Sequence, residues 1–498
     1  MARKLTLNTI MGILLRVVTI LCGFILPRLI LGHFGSEING LVYSVTQFLG
    51  IISFLELGVG RVIQSALYQP LVRHDTDQIS AILTSGSRFF RRLAGMMLVY
   101  VVVLIAVYPF VTSSHFGWMY TAVLIAAISI SLFAQYYFGI IDSLLLNADQ
   151  HGYVQYLAQI VTLILNVAVC AMLIRFDASI HMVKLASSVV FLIRPIYLRF
   201  YVNRHYKVNR NVVLQRDPIR QKWSGIAQHV SAVVLDNTDT IVLTLFSTLS
   251  NVSVYSVYNY VVFGVRQLYQ SATEGLHVTV GNLWAKGEKE KLGILFGGLE
   301  AVLHLITVFL FSCTGVLLLP FIRVYTAGIQ DTNYLIPVFG ALMVLGRGIQ
   351  CLRTTYNMLI LAAGHYQQTQ RCHIIAAGMN LVLSLALVHS FGLVGVAVGT
   401  VAALMYQTVW MAVYSATHLL IRPLMRFAVL LFADAALTGL ILASTRWLSL
   451  SAVTYGGWFL LAMEVTAIAA AITVMFGWFF FRGPIRGMLN IWRTGKAK

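Results

Sequence analysis

The feature that most constrains this chain is a series of about fourteen long apolar segments separated by short loops. A helix needs about 20 mostly apolar residues to cross the hydrocarbon core of a bilayer. Only 10% of the 498 residues are charged, against roughly 25% in a soluble domain, so a soluble fold could not cover its surface. The sequence therefore predicts an all-α integral membrane protein. The predicted spans are residues 7–31, 38–68, 89–111, 117–146, 153–175, 181–201, 224–247, 252–280, 292–320, 333–361, 371–389, 392–415, 427–446 and 455–481.

Basic residues occur in alternate loops of this predicted bundle, which fixes an orientation. Residues 112–116, 250–251 and 390–392 carry no Lys or Arg. Cytoplasmic loops are enriched in Lys and Arg, so both termini are predicted to face the cytoplasm. The net charge of +18 follows from these loops, and no basic patch on a polar domain indicates a nucleic-acid partner. The richest loop holds Arg204, Lys207, Arg210, Arg216, Arg220 and Lys222.

The basic stretch in the middle of the chain divides the spans into two groups. A weak internal repeat, in which Ala148 to Asn166 and Ala362 to Asn380 have equal spacing, indicates a duplicated bundle. We expect two pseudo-symmetric six-helix lobes and a terminal helix pair. The predicted parts are an N-terminal lobe (5–201), a cytoplasmic linker (202–223), a C-terminal lobe (224–415), the terminal pair (427–481) and a basic cytoplasmic tail (482–498).

Charged residues inside the predicted spans are the main functional indicators, because such a side chain is costly unless it faces protein or a wet cavity. They include Arg16, Glu56 and Arg61 in the first two spans, and Arg266 and Arg353 in the eighth and tenth. A cavity lined by these cations would bind phosphate or pyrophosphate, since a guanidinium can bind two oxygens at once. The alternative is that the charges pair with each other and hold helices together.

A second polar group in the later spans has the composition of a cation site. Asp236 and Asp239 lie in the seventh span, Asn380 and Ser384 share a face of the eleventh, and Thr400 follows in the twelfth. These oxygens could couple transport to an ion, with Asp236, Asn380 and Thr400 as ligands for Na⁺. Hydrogen bonding between helices is the alternative role for the uncharged members.

Motifs of bond-forming chemistry are missing from the sequence. There is no GxxxxGK[ST] phosphate loop, no HExxH and no GxSxG. We therefore expect a carrier rather than an enzyme, without a cofactor. The rival interpretations are a membrane glycosyltransferase, which usually has a large outer loop that this chain lacks, and a scaffold for polysaccharide assembly.

Several stretches resemble the polysaccharide transporter family, whose superfamily also contains multidrug-and-toxin extruders and lipid II flippases. The most specific is His33-Phe-Gly-Ser-Glu-Ile-Asn-Gly40, which runs into Gln47-Phe-Leu-Gly50 and Leu55-Glu-Leu-Gly-Val-Gly60. Residues 148–150, 362–370 and 395–400 are further family-like positions. The resemblance implies a flippase that moves undecaprenyl-pyrophosphate-linked oligosaccharide across the bacterial plasma membrane by alternating access, for surface polysaccharide synthesis. The alternative within the same fold is an ion-coupled multidrug or metabolite antiporter.

The resemblance also implies roles for individual residues. Arg16, Arg61 and Arg266 occupy places comparable to the cavity arginines of lipid II flippases, while Asp236 and the polar residues of the later spans match their sodium site in kind. Ser384 stands where those relatives carry a second acid, which weakens the sodium assignment and leaves H⁺ as another coupling ion. The first span lacks their acid, which argues against lipid II as the cargo. The expected partners are the lipid-linked glycan, membrane lipids and a polysaccharide polymerase, with the carrier itself a monomer.

Overall fold

The computed structural model describes residues 2–56, 58–111, 116–210, 212 and 226–495. Within these ranges the chain forms fourteen α-helices and no strand. The helices are α1 (Ala2–Gly50), α2 (Val59–Val72), α3 (Thr76–Val111), α4 (Trp118–Ala134), α5 (Ile140–Ala148), α6 (Gly152–Arg175), α7 (Ile180–His205), α8 (Ile226–Phe246), α9 (Leu249–Ala285), α10 (Lys289–Tyr325), α11 (Pro337–Ala362), α12 (Tyr366–Tyr414), α13 (Met425–Thr445) and α14 (Tyr455–Gly495).

Every predicted span overlaps a helix in the described residues, but the division into helices differs from the division into spans at three places. Helix α1 is interrupted at Gly35, where φ is 83°, and it continues through a short 3₁₀ helix (Ile51–Glu56) into α2. Helices α4 and α5 are joined by a π-helical turn (Gln135–Gly139) and together form the fourth span. Helix α12 contains the eleventh and twelfth spans and is interrupted at Gly392, where φ is 52°. The all-α membrane fold with about fourteen spans is confirmed.

Helices α9 and α11 are long, but they are less apolar than most of the other long helices. In the described part of the chain, nine helical stretches are long and apolar enough to cross a membrane. Helices α9 and α11 have 37 and 26 residues, which is sufficient length, but they are not among the nine. A polar span is tolerated where it faces other helices or a water-filled cavity. These two helices carry Arg266, Arg347 and Arg353.

The chain divides into two compact units, Met1–Ser253 and Val254–Lys498. In the N-terminal unit α1 packs against α6 and α8, and α4 and α6 pack against α7. In the C-terminal unit α10 packs against α11, α13 and α14, and α11 packs against α12. The predicted linker lies mostly outside the described residues, and the lobe boundaries at 5–201, 224–415 and 427–481 stay predictions.

Large apolar side chains fill the interior of each unit. The N-terminal core includes Phe90, Leu124 and Tyr108, each at most 1% exposed. In the C-terminal unit, Val465 of α14 and Leu437 and Ile441 of α13 form a second buried cluster with α10. Burial of apolar side chains accounts for the packing of each unit. The few charged residues in the interior are not explained by it and need a separate explanation.

Candidate anion-binding and ion-binding residues

The N-terminal candidates lie on α1 and at the junction that leads into α2. Arg16 is half-buried in α1 and has an interacting neighbour. Glu56 ends the 3₁₀ helix, and Gly58 adopts a left-handed conformation (φ 71°) that redirects the chain into α2. A Cβ at Gly60 would lie 3.1 Å from Glu56 Oε1, so the glycine leaves room for the carboxylate.

Arg61 is the third residue of α2, and its side chain is exposed. It interacts electrostatically with the half-buried carboxylate of Glu56. These two residues are five apart, which is poor spacing for a pair on one continuous helix. The helix break between them brings their charges within electrostatic range.

The C-terminal candidates are cations on α9 and α11. Arg266 of α9 and Arg347 and Arg353 of α11 all act electrostatically on the buried Cys351 thiol. Sequence analysis singled out Arg266 and Arg353 for the anion site, and Arg347 joins them. Three guanidinium groups within electrostatic range of one buried side chain create a positive region that would favour an oxyanion.

Neutral amides orient two of these arginines. Arg347 donates to Gln350 Oε1 at 2.8 Å and to Asn259 Oδ1 at 3.0 Å. Arg353 donates to Gln407 Oε1 at 2.6 Å. Amide oxygens accept these hydrogen bonds without cancelling the charge of the donor. The bonds therefore hold the guanidinium groups in place and leave them cationic.

The amide of Gln407 extends this cluster into α12. Its side chain is fully buried, and its Nε2 lies 2.9 Å from His373 Nδ1. His373 is 3% exposed and interacts electrostatically with Arg353. The result is a buried polar chain from α11 through both segments of α12, in which each side chain positions the next.

The uncharged members of the predicted cation site come together around the Gly392 break. Asn380 Nδ2 donates to Thr400 Oγ1 at 2.8 Å, and Ser384 Oγ donates to the carbonyl oxygen of Val396 at 3.4 Å. Asn380 and Ser384 are fully buried. This geometry also suits the alternative role, hydrogen bonding between helix segments.

The two acids of that predicted site lie on α8 in the N-terminal unit. Asp236 has an exposed side chain and Asp239 is 3% exposed, and both have interacting neighbours. No group of three or more His, Cys, Asp or Glu side chains that could hold a metal occurs among the described residues. The sodium ligand set Asp236, Asn380 and Thr400 stays a prediction.

The C-terminal unit also contains a buried polar network that was not predicted from the sequence. Glu300 of α10 is fully buried and accepts two hydrogen bonds from Arg422, both at 2.6 Å. One turn further along α10, His304 Nδ1 lies 2.7 Å from Asp434 Oδ2, and His304 Nε2 lies 3.1 Å from the Tyr356 hydroxyl. Glu300 and His304 fall inside the ninth predicted span, so the criterion that found the arginines could also have found them.

A matching ion pair was missed in the N-terminal unit. The fully buried Asp142 of α5 accepts a hydrogen bond from Arg210 at 2.8 Å and one from Arg199 at 3.4 Å. Next to it, Tyr206 donates to Asp149 at 2.6 Å just beyond α7. Burial, together with this hydrogen bond, raises the pKa of the Tyr206 phenol. The Asp142 contacts fasten α7 and the residues after it to α5, and the Asp149 contact fastens them to the turn between α5 and α6.

The fold matches solved structures of membrane exporters. The inward closed conformation of the lipid II flippase MurJ matches with a TM-score of 0.72 at 14% identity, covering 96% of this chain and 99% of that one. An outward-facing multidrug resistance MATE family transporter of the MOP superfamily gives 0.58 at 12% identity, with coverages of 86% and 96%. The eukaryotic MATE transporter AtDTX14 gives 0.58 at 11% identity, with coverages of 83% and 95%. No protein-family model and no curated protein sequence matches the chain. The chain therefore has the multi-pass membrane fold that MurJ and the MATE transporters share.

Proposed function

We propose that this chain is a flippase that moves undecaprenyl-pyrophosphate-linked oligosaccharide from the cytoplasmic to the outer leaflet of a bacterial inner membrane, for surface polysaccharide synthesis. Two observations support the proposal: the full-length similarity in fold to a lipid II flippase and the position of the cations. The main supporting observation is that Arg266 of α9 and Arg347 and Arg353 of α11 lie within electrostatic range of one buried side chain, Cys351, in two long helices that are less apolar than most. A lipid pyrophosphate is the membrane-borne anion that such a cluster fits.

The mechanism requires no bond to be made or broken. The barrier to flipping is the desolvation of a charged head group, which is prohibitive in hydrocarbon. Guanidinium groups lower that barrier because they replace the water around the phosphate oxygens with charge-assisted hydrogen bonds. In this proposal Arg16 and Arg61 supply further contacts, and alternating access exposes the bound head group first to one leaflet and then to the other.

The cargo proposal is tested by flipping of a fluorescent pyrophosphate-linked lipid in proteoliposomes. Arg266→Ala and Arg61→Ala should each slow flipping by about tenfold or more, since a hydrogen bond to a charged group contributes about 1.5 to 3 kcal/mol. Arg323→Ala and Arg175→Ala are matched controls, because both arginines lie in the last turn of a helix outside the proposed site. Equal rates for the site variants and the controls would refute the proposed role.

We further propose that an ion gradient drives the cycle, with Na⁺ at Asp236, Asn380 and Thr400, or H⁺ in its place. In the same vesicles, a Na⁺ concentration gradient across the membrane should accelerate flipping by the native chain. Asp236→Asn should abolish that acceleration and keep the basal rate, because the carboxylate supplies the charge that a hard cation needs. Asp331→Asn, in the loop before α11, is the control. Acceleration by a pH gradient alone would assign the coupling to H⁺.

A drug or metabolite antiporter is the second candidate, favoured by the similarity in fold to the MATE transporters. Carriers of cationic drugs need acidic binding groups, whereas the charged residues gathered around Cys351 are arginines. Overexpression should therefore leave resistance to cationic drugs unchanged. Increased resistance together with no flipping of the labelled lipid would favour the antiporter.

A further inference from the structure

An apolar groove of about 570 Å³ lies between α10 and α14 in the C-terminal unit. Helix α10 contributes a stripe from Val302 to Phe309, and α14 contributes a stripe from Ala470 to Leu489. The α14 residues recur at three- and four-residue intervals, so they form one continuous face. Val474 and Trp478 on this face are 71% and 58% exposed. The groove is therefore open on the outer face of α10 and α14.

Two arginines lie near one end of the groove, where Leu489 follows them along α14. Arg482 and Arg486 line it beside the apolar residues, and both have exposed side chains. The Arg482 guanidinium lies 4.5 Å from the centre of the Trp478 ring. Within the described part of the chain, no acidic side chain forms an ion pair with either arginine. Their positive charge would therefore attract an anionic group of a ligand bound at this end of the groove.

The spacing along α14 fits the geometry of a bilayer leaflet. Arg482 follows Tyr455, the first residue of α14, by 27 positions, which is about 40 Å of helix and exceeds the roughly 30 Å hydrocarbon core. The arginines therefore reach the head-group region, with a tryptophan at the depth where aromatic residues gather. From Arg482 back to Ala470 is about 18 Å of helix, close to the thickness of one hydrocarbon leaflet.

We infer that this groove binds one anionic phospholipid of the surrounding bilayer. Its phosphate lies against Arg482 and Arg486, and an acyl chain fills the apolar groove between Leu305 and Val474. Basic pockets between membrane helices on the cytoplasmic side bind anionic head groups, and the sequence predicts that this end of α14 is cytoplasmic. The bound lipid would fasten α14 to α10. This site does not depend on the proposed flippase activity.

Native mass spectrometry of the purified full-length protein tests the assignment. The probes are phosphatidylglycerol and phosphatidylcholine with identical acyl chains. The native chain should retain phosphatidylglycerol preferentially. The double variant Arg482→Gln/Arg486→Gln should lose that preference, with an affinity roughly 25-fold lower, since each arginine near an anionic surface contributes about a fivefold effect. Val474→Trp, which fills the groove, should reduce binding of both lipids.

Arg446→Gln is the matched control, because Arg446 also stacks on a tryptophan, Trp447, at 4.0 Å but follows α13 and does not line this groove. It should bind phosphatidylglycerol like the native chain. Equal retention of the two lipids by the native chain, or equal losses in the double variant and the control, would overturn the inference. So would displacement of phosphatidylglycerol by equimolar undecaprenyl pyrophosphate, which would make the groove a substrate site. If the double variant does not fold, the same comparison is made with Arg482→Gln and Arg486→Gln as separate single variants.

Discussion

A single buried charge, Glu300, determines how two distant segments of the chain are held together. Its carboxylate is fully buried on α10, while its partner Arg422 lies 122 positions later, in the turn between α12 and α13. The two bonds of 2.6 Å form a bidentate pair, the geometry in which arginine and carboxylate interact most strongly. This pair therefore fixes where the chain enters α13.

Removing one partner of that pair should destabilise the protein strongly. Glu300→Ala leaves a mostly buried guanidinium without its counter-charge, and breaking a buried pair in this way costs about 3 to 5 kcal/mol. We expect a large decrease in the unfolding temperature in detergent. Lys291→Gln breaks an exposed pair with Glu288 (2.8 Å) on the same helix and should have little effect, because exposed pairs contribute about 0 to 1 kcal/mol. Similar shifts for both variants would contradict this account.

Residue roles could be predicted from the sequence only in part. The cost of burying charge in a membrane singles out residues such as Arg266 and Arg353, and both lie in one cluster with Arg347. The same criterion applies to Asp142 and Glu300, but their partners lie 57 to 122 positions away. Such pairings depend on tertiary packing. The sequence alone therefore cannot distinguish a charged residue that forms an ion pair between helices from one that binds a ligand.

At the scale of helices, α12 shows why a glycine can be essential in a membrane helix. The two segments of α12 fold back at Gly392, and Gly399 then packs against the segment that contains Ser384. A Cβ at Gly399 would lie 2.7 Å from Ser384 Oγ and 2.9 Å from its backbone nitrogen. Small residues allow this close approach, which is a common basis of helix packing in membranes.

Gly399→Ala should therefore destabilise the protein by about 1 to 3 kcal/mol, the usual cost of overpacking. Gly378→Ala on the same helix is the matched control, since a Cβ there has open space around it. It should be neutral or slightly stabilising, because alanine is the better helix former. Thermal unfolding of the two variants in the same detergent gives the comparison. A stability equal to that of the native chain for Gly399→Ala would show that the two segments can separate without cost.

Helix positions follow from hydropathy, but helix junctions do not. The length of each apolar run predicts a spanning helix, and within the described residues each of the fourteen runs is mostly helical. The 3₁₀ helix before Gly58 and the π-helical turn at Gln135–Gly139 lie inside apolar runs, so hydropathy does not distinguish them from the flanking α-helices. They arise where packing displaces the regular hydrogen bonds of a helix, which a one-dimensional pattern does not record.

At the scale of the whole molecule, orientation depends on where the basic residues lie relative to the helix ends. The last part of α14 carries Arg482 and Arg486, the turn between α9 and α10 carries Lys286, and α10 begins at Lys289. The turn between α13 and α14, which holds Ser451, follows Arg446 and is otherwise free of Lys and Arg up to residue 481. Positively charged loops stay in the cytoplasm, so Lys286 and Ser451 should face opposite sides of the membrane.

Cysteine labelling in intact cells tests this orientation. Ser451→Cys should react with a membrane-impermeant maleimide in intact cells, whereas Lys286→Cys should react only after the cells are disrupted, because both side chains are exposed in loops on opposite sides. The native chain is the background control: Cys170, Cys313, Cys351 and Cys372 are buried and Cys22 lies within the first span, so it should label weakly in both conditions. The reverse pattern would place both termini outside and would move Arg482 and Arg486 to the outer leaflet. Labelling of both variants in intact cells would mean that the basic loops do not determine the topology.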